Sequence, residues 1–366
     1  MRKTALILST VLLALAGAFL LFRAERNGAY TKFSVDFFDL FDTHVSFSAY
    51  TRDEESFRRY AAAVHSEMER LHRYFDIYDS YGRLANLKTV NDNAGTAAVA
   101  VAPEIIELLD AAARGYKMTG GAVDISKGSL YAVWHDRRER ALNGAMPRED
   151  TKSRGGNGSA ALLPSAEELR SADAFSMDYI VVDREAGTVF LRKKGMRLDV
   201  GAVAKGFAAQ RAVEKARALG LTSGILNAGG NVCVIGAPKD GRASWKVGVR
   251  GQQEDGGFID IVDVADCSVV TSGDDQRYFT ACGEKFHHII DPWTRYPAKH
   301  VRSVTVVHPN SETADILSTA AFVLPPESAR RIIEQNGAEA MWVFHDGRRE
   351  TTAGYVKISE SAKQKR

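Results

Sequence analysis

Cysteine is scarce in this 366-residue chain: Cys233, Cys267 and Cys282 are the only three, and their spacing is not that of a metal site. An odd count leaves at least one thiol free or paired between chains. In an exported chain they read as small buried hydrophobes, not as a disulfide framework. Charge of one sign is not in excess either. A formal net charge of +2, with no basic run interleaved with aromatics, excludes a nucleic-acid partner. The chain has no internal repeat, no clear linker, no Walker A spacing and no Rossmann glycine fingerprint. Long apolar runs are missing from the body, and the one present lies at the N-terminus. Arg2 and Lys3 precede an apolar run from Ala5 to Phe22, which as a helix reaches about 27 Å. Ala16-Gly-Ala18 offers a cleavage site, but the run continues past it, so a secretory signal and an uncleaved membrane anchor through residues 5–22 both stay open. No cysteine near its end suggests a lipoprotein. Residues 1–26 are therefore read as a leader, and residues 27–366 as one exported, periplasmic α+β body.

What is present is organised around Leu198-Asp-Val-Gly-Ala-Val-Ala-Lys-Gly206. Met196 to Val200 reads as a short buried strand, and Ala204 to Leu219 as a helix with Phe207, Ala208, Val213 and Ala216 on one stripe. Gly220 follows as the residue past its end, and Ile225 to Ile235 reads as a strand interrupted by Gly229-Gly230. A strand, a turn, a helix start and a glycine pair suit backbone N–H groups approaching an anion, or an ordinary β-α-β connection. Upstream, Ser34–Thr51 reads as two strands or a hairpin, Asp53–Phe75 as a long amphipathic helix, and Pro103–Gly115 as a helix with Ile106, Leu109 and Ala113 inward. Gly120 to Ile125 is strand-like. Asp136 to Gly158 lacks periodicity and reads as a solvated, mobile insertion at about 136–160. Pro164–Asp173 reads as a short helix and Asp178–Arg192 as a hairpin. Downstream, Trp245–Arg250, Phe258–Val264, Cys267–Gly273, Lys285–Asp291 and Val301–His308 read as strands, and Thr313–Leu324 as a buried helix.

Polar residues inside apolar runs carry the chemical signal. Asp315 and Thr319 stand at i and i+4 in a helix that is otherwise apolar, with Ser318 beside them. They fit either a helix-capping role or a hard-cation site of carboxylate and hydroxyl oxygens. His288-Ile-Ile-Asp-Pro292 puts a histidine and a carboxylate at a strand end, with His287 on the opposite face. Thr271-Ser-Gly-Asp-Asp-Gln-Arg277 is a hairpin corner or an array of phosphate donors, and Asp124 after Gly120-Gly121 is equally open.

These motifs, with Asn227-Ala-Gly-Gly-Asn231, resemble in their order the FAD:protein FMN transferase (ApbE) family, from about Phe41 to about Leu324. Phe41-Asp-Thr43 replaces the family's frequent Met-Gly-Thr, and Asp275 stands where an aromatic is common. The resemblance implies a single T-fold-like α+β body of mixed and antiparallel sheets flanked by helices, after the N-terminal apolar leader. It implies that Asp199 and Lys205 contact FAD. Phe41, Tyr78, Ala122, Val123, Asp124 and Ile289 would line the flavin site, and Asn91 would lie near the diphosphate. Gly229, Gly230, Thr271, Ser272 and Gly273 would complete the nucleotide site. The Ala202 carbonyl, Asp315 and Thr319 would surround Mg²⁺, with Ser318 in reach.

The implied reaction is transfer of FMN from FAD to a Thr or Ser hydroxyl of an acceptor flavoprotein, with AMP leaving. Hydrolysis of FAD to FMN and AMP, or flavin binding without catalysis, are the alternatives. A diphosphate needs its charge neutralised before a hydroxyl attacks, and a weak nucleophile benefits from a base. His288 suits that role by its ordinary pKa, with Asp291 as the alternative base or as its orienter.

Overall fold

The computed structural model describes residues 23–27, 29–143, 163–250 and 257–363. The anchor reading of residues 5–22, and the part of the 136–160 insertion beyond residue 143, lie outside the described residues. The strands are β1 Arg23–Asn27, β2 Tyr30–Leu40, β3 Thr43–Thr51, β4 Val99–Ala100, β5 Ile180–Asp183, β6 Thr188–Leu191, β7 Gly224–Ala228 and β8 Asn231–Ile235. They continue as β9 Trp245–Arg250, β10 Phe258–Val264, β11 Ser268–Gly273, β12 Tyr278–Ala281, β13 Glu284–His287, β14 Ser303–His308, β15 Glu339–Val343 and β16 Arg349–Thr351. The helices that shape the site are α1 Glu54–Phe75, α2 Leu87–Asp92, α3 Pro103–Met118, α4 Gly128–Leu142, α5 Ala166–Ala172, α6 Ala204–Ala218, α7 Ser311–Val323 and α8 Pro326–Gln335.

One antiparallel sheet of nine strands, ordered β1-β2-β3-β7-β8-β11-β14-β15-β16, forms the frame. Period-two alternation sets its faces. Phe33, Val35 and Phe37 of β2 and Val45, Phe47 and Ala49 of β3 turn toward α1 and α6. Phe47 and Phe57 stack with ring centroids 5.8 Å apart, and burying each stabilises the fold by roughly 2 kcal/mol. β8 is buried along its whole length because both faces are covered. Cys233 and Ile235 meet the helices, while Val232 and Val234 meet Trp245 and Val247 of the β9–β10 hairpin. The first strand of the sheet begins at Arg23, which pairs with Ser34.

Local chemistry explains the elements. Asp53 caps α1 by accepting from the Ser56 N–H at 2.7 Å. Gly220, at φ +100°, ends α6, and the Leu221 N–H returns to the Ala216 carbonyl at 3.0 Å.

Several sequence expectations are corrected. Met196–Val200 pairs with no strand among the described residues: the Asn91 amide takes the Leu198 N–H and carbonyl, and the Met196 and Asp199 N–H groups go to the Lys193 and Ile125 carbonyls. Gly120–Ile125 is a turn leading into a short 3₁₀ helix, forced by Gly120 and Gly121 at φ +60° and +90°. Asp136–Leu142 continues α4, since charged residues are adequate helix formers and only Leu130 and Trp134 must be buried. In α3 the inward face is Ile105, Leu108, Leu109 and Ala112, and Ile106 and Ala113 are only partly buried. Ile225–Ile235 is a hairpin turning at Gly229-Gly230, φ +58° and +90°. Lys285–His287 pairs with β12 in a separate ribbon, and residues 288–291 leave the strand.

Candidate active site

Three ends of the sheet meet on one side. Phe41 and Asp42 form the β2–β3 turn, both with φ near +50°, and Gly229-Gly230 forms the β7–β8 turn beside it. The Gly229 N–H donates to the His44 carbonyl at 3.1 Å, and a Cβ there would stand 2.3 Å from Thr43 Oγ1, so only glycine fits. The Gly230 N–H donates to Asn227 Oδ1 at 3.0 Å, and its own carbonyl accepts the Thr271 N–H. Both glycine amides are thus spent inside the protein. The turn offers an open, side-chain-free surface at Gly230. Thr271 and Ser272 likewise direct their hydroxyls inward, to Thr305 Oγ1 at 2.9 Å and Ser318 Oγ at 2.8 Å.

Behind these turns α6 meets α7. The Gly206 N–H donates to Asp315 Oδ2 at 2.8 Å. Asp315 is 4% exposed, and burial raises its pKa, against which Lys205, the Gly206 N–H and Asn231 pull it down. Among the described residues the one cation acting on it is Lys205. Thr319 and Ala202, one turn along α7 and just ahead of α6, are partly exposed. Ser318 is fully buried, and its hydroxyl donates to the Asp315 carbonyl at 3.0 Å while meeting Ser272, so it is a brace for the site and no free ligand. No group of three or more His, Cys, Asp or Glu able to hold a metal occurs among the described residues. A single uncompensated carboxylate beside hydroxyl and carbonyl oxygens fits a hard divalent cation that a phosphate ligand would complete.

The third wall is the segment Arg197–Val203. Asn91 holds it by accepting the Leu198 N–H at 2.7 Å and donating to the Leu198 carbonyl at 3.0 Å. Asn91 is therefore a clamp on the chain behind Asp199. The Asp199 N–H donates to the Ile125 carbonyl, and Asp199 Oδ1 accepts the Gly201 N–H at 2.8 Å. Lys205 Nζ reaches the Gly201 carbonyl at 3.2 Å. Asp124 is turned into its own loop, where Oδ1 accepts from the Ser126 N–H and hydroxyl at 2.9 and 2.6 Å. Ala122, Val123 and Ile289 pack into the main core, and their N–H groups are taken by the Thr119 carbonyl, Thr119 Oγ1 and His287 Nδ1. They back the wall and do not present side chains to a ligand.

The two histidines separate cleanly. His287 is buried, its Nε2 bonded to the Ala298 carbonyl at 2.8 Å and its Nδ1 accepting the Ile289 N–H at 3.2 Å. His288 is exposed and its ring makes no hydrogen bond among the described residues, while its N–H holds the Arg277 carbonyl at 3.0 Å. His288 is exposed and Asp199 half-buried, yet protein crowds both, which defines the candidate cleft. Crowding first, then Arg277, His287, Lys205 and Arg138, holds the His288 pKa below its ordinary value, and the ring is neutral at pH 7. Crowding raises the Asp199 pKa, against the pull of the Gly201 N–H, His135, Arg197 and Lys205. Asp291 does not orient His288: its Oδ1 accepts the Trp293 and Thr294 N–H groups at 2.8 and 3.2 Å and so builds the following loop.

Sequence reading missed the fourth wall. Tyr131, His135 and Arg138 stand at i, i+4 and i+7 on α4, a helical spacing concealed because residues from Asp136 on were read as loop. Tyr78 is 48% exposed and stacks on His135 at 5.1 Å, its pKa pushed up to about 12 by crowding and then by Asp199. Arg138, Arg197 and Arg277 with Lys205 make the cleft cationic. Lys205 acts at once on Asp199, His288 and Asp315, so all three stand within its electrostatic reach. Two other surface pockets, of about 530 and 310 Å³, lie along α3 and hold none of these groups.

Comparison with known proteins agrees with this geometry. The ApbE family profile matches residues 41–342. The chain is 33% identical over 320 residues to a FAD:protein FMN transferase of Treponema pallidum, covering 82% of this chain and 83% of the relative. It is 28% identical to one of Klebsiella pneumoniae, covering 72% and 76%. The crystal structure of the ApbE protein from Thermotoga maritima superposes with a TM-score of 0.73 at 28% identity, covering 93% of this chain and 99% of that one. The chain belongs to the ApbE family and, like the relatives just described, is a transferase.

Proposed function

We propose that this protein transfers the FMN part of FAD to a Thr or Ser hydroxyl of an acceptor flavoprotein, in a Mg²⁺-dependent reaction that releases AMP. The observation that carries the reading is Lys205, which stands within electrostatic reach of Asp199, His288 and Asp315 in one cationic cleft. Lys205, Arg277, Arg197 and Arg138 offset the charge of the diphosphate. Asp315, Thr319 and the Ala202 carbonyl would hold the cation. When bound, the cation would supply Lewis-acid charge for phosphoryl transfer. Neutral His288 accepts the proton of the acceptor hydroxyl as its oxygen bonds to the FMN-side phosphorus. The bond from that phosphorus to the bridging oxygen breaks, and AMP carries the oxygen away.

The apolar run at residues 5–22 supports export, with the body periplasmic and either released or tethered to the inner membrane. A reporter fused after His345 that works only in the cytoplasm contradicts this. The reaction is tested by chromatography of nucleotide products from FAD and Mg²⁺ with and without an acceptor. Transfer gives AMP that depends on the acceptor, with no matching free FMN. Equal FMN and AMP without acceptor instead identify a FAD hydrolase.

A further inference from the structure

The Phe41 turn and the Tyr78 loop, two parts of the cleft rim far apart in sequence, are joined by a continuous chain of hydrogen bonds. The Phe41 N–H donates to His72 Nδ1 at 3.3 Å, and the two rings meet edge-on with centroids 5.3 Å apart. His72 Nε2 lies 3.2 Å from the Tyr81 hydroxyl, which donates to Asp76 Oδ2 at 2.6 Å. The other oxygen of that carboxylate accepts the N–H groups of Tyr78 at 2.6 Å and Asp79 at 2.9 Å. The polarity of this chain is fixed. Tyr81 has one proton and gives it to Asp76, so His72 donates from Nε2 and keeps Nδ1 as an acceptor for Phe41.

The geometry also shows what the chain restrains. Phe41 has φ +52° and Asp42 φ +50°, a left-handed conformation that costs a non-glycine residue roughly 1 kcal/mol. Such a turn persists only where its surroundings over-determine it. On one side Thr43 closes against Gly229, and on the other His72 takes the Phe41 amide. His72 sits in the last turn of α1 and Asp76 is its C-cap, so a rigid helix end anchors the chain.

We propose that His72, Tyr81 and Asp76 are positioning residues: a strut that locks the Phe41 turn to the Tyr78 loop and preforms that rim of the cleft for the nucleotide. The inference rests on the flavin-nucleotide reading of the cleft given above. None of the three residues touches the reacting atoms, so their effect falls on binding.

The test uses the full chain, with FAD binding followed by quenching of flavin fluorescence. Tyr81→Phe removes one hydroxyl and keeps the ring. It should weaken FAD binding by about three- to tenfold, the worth of one or two hydrogen bonds, with an unchanged circular dichroism spectrum. His72→Asn keeps an acceptor near Nδ1 but cannot reach Tyr81, and it should give a loss of the same size even if Tyr81→Phe folds poorly. A readout that general destabilisation does not move is the coupling of Phe41→Ala with Tyr78→Ala. Their effects on the FAD Kd should be non-additive in the wild-type background and additive with Tyr81→Phe. Unchanged FAD affinity in both strut variants, or coupling that survives Tyr81→Phe, overturns the strut. A wild-type chain that does not bind FAD overturns the reading of the cleft itself, and the role of the rim with it.

Discussion

The Gly206 N–H and Asp315 Oδ2 are joined by a 2.8 Å hydrogen bond, and a Cβ at Gly206 would stand 2.5 Å from Asp315 Cβ and 2.6 Å from the Ser311 carbonyl oxygen. The start of α6 therefore presses directly on α7, and the contact fixes the one carboxylate of the candidate cation site. Gly206→Ala should force the helices apart, cost about 1–3 kcal/mol in urea unfolding, and reduce transfer even in the folded fraction. Wild-type stability and activity in that variant would show that the helices yield without disturbing the site.

Asp315 should be a liability to the metal-free fold. Burial raises its folded pKa above the unfolded value near 3.8. Between the two values the native state holds the extra proton, so stability falls as pH rises through that window and stays reduced above it. Asp315→Asn keeps an acceptor for the Gly206 N–H and removes the charge. At pH 7 without divalent cations it should melt a few degrees above wild type, and the difference should vanish near pH 3. Transfer should be largely lost, and added Mg²⁺ should stabilise wild type alone. A lower melting temperature at pH 7 contradicts this account of the carboxylate.

His288→Ala should slow transfer by about 10²–10⁴-fold with little change in FAD affinity, while His287→Ala should mainly destabilise. His287 loses bonds to Ala298 and Ile289 and its edge contact with Phe322. Equal losses of activity in two well-folded variants would shift His288 to a positioning role.

The same histidine makes a prediction about pH. Its lowered pKa comes from crowding and then from Arg277, His287, Lys205 and Arg138. A bound diphosphate offsets those cations and raises the pKa. The acid limb of kcat/KM, which reports the free protein, should lie below pH 6.5, and that of kcat should lie higher. Coincident limbs would show that the cations do not face the diphosphate.

Asn91→Leu should leave the Leu198 N–H and carbonyl buried without partners and cost roughly 2 kcal/mol or more. Because Leu198 precedes Asp199, KM for FAD should rise as well. Unchanged KM in a destabilised variant would confine Asn91 to folding.

Much of the frame was legible because burial writes a period into the sequence. The α1 stripe gives that helix nearly to the residue, the β2–β3 alternation gives the hairpin although β2 begins at Tyr30, four residues ahead of Ser34, and Gly220 marks the end of α6. The stretch at Met196–Val200 was misread as a strand because its apolar pattern is the same whether its backbone partner is another strand or Asn91. The motif residues lie around one cleft, but sequence could not tell which of them face it. Asn91, Asp124, Ser318 and Asp291 each make hydrogen bonds inside the protein, while the His288 ring makes none among the described residues. The α4 wall of Tyr131, His135 and Arg138 was invisible, because a charged helix face looks like a solvated loop until something packs opposite it.

The central claim is covalent transfer of FMN, and intact-mass spectrometry of an acceptor flavoprotein incubated with this chain, FAD and Mg²⁺ tests it most directly. The account predicts that the acceptor gains the mass of one FMN less water, together with one AMP per acceptor. The gain should disappear when the acceptor Thr or Ser is replaced by Ala, and when the enzyme carries Asp315→Asn. An unmodified acceptor alongside steady conversion of FAD to free FMN and AMP would contradict it.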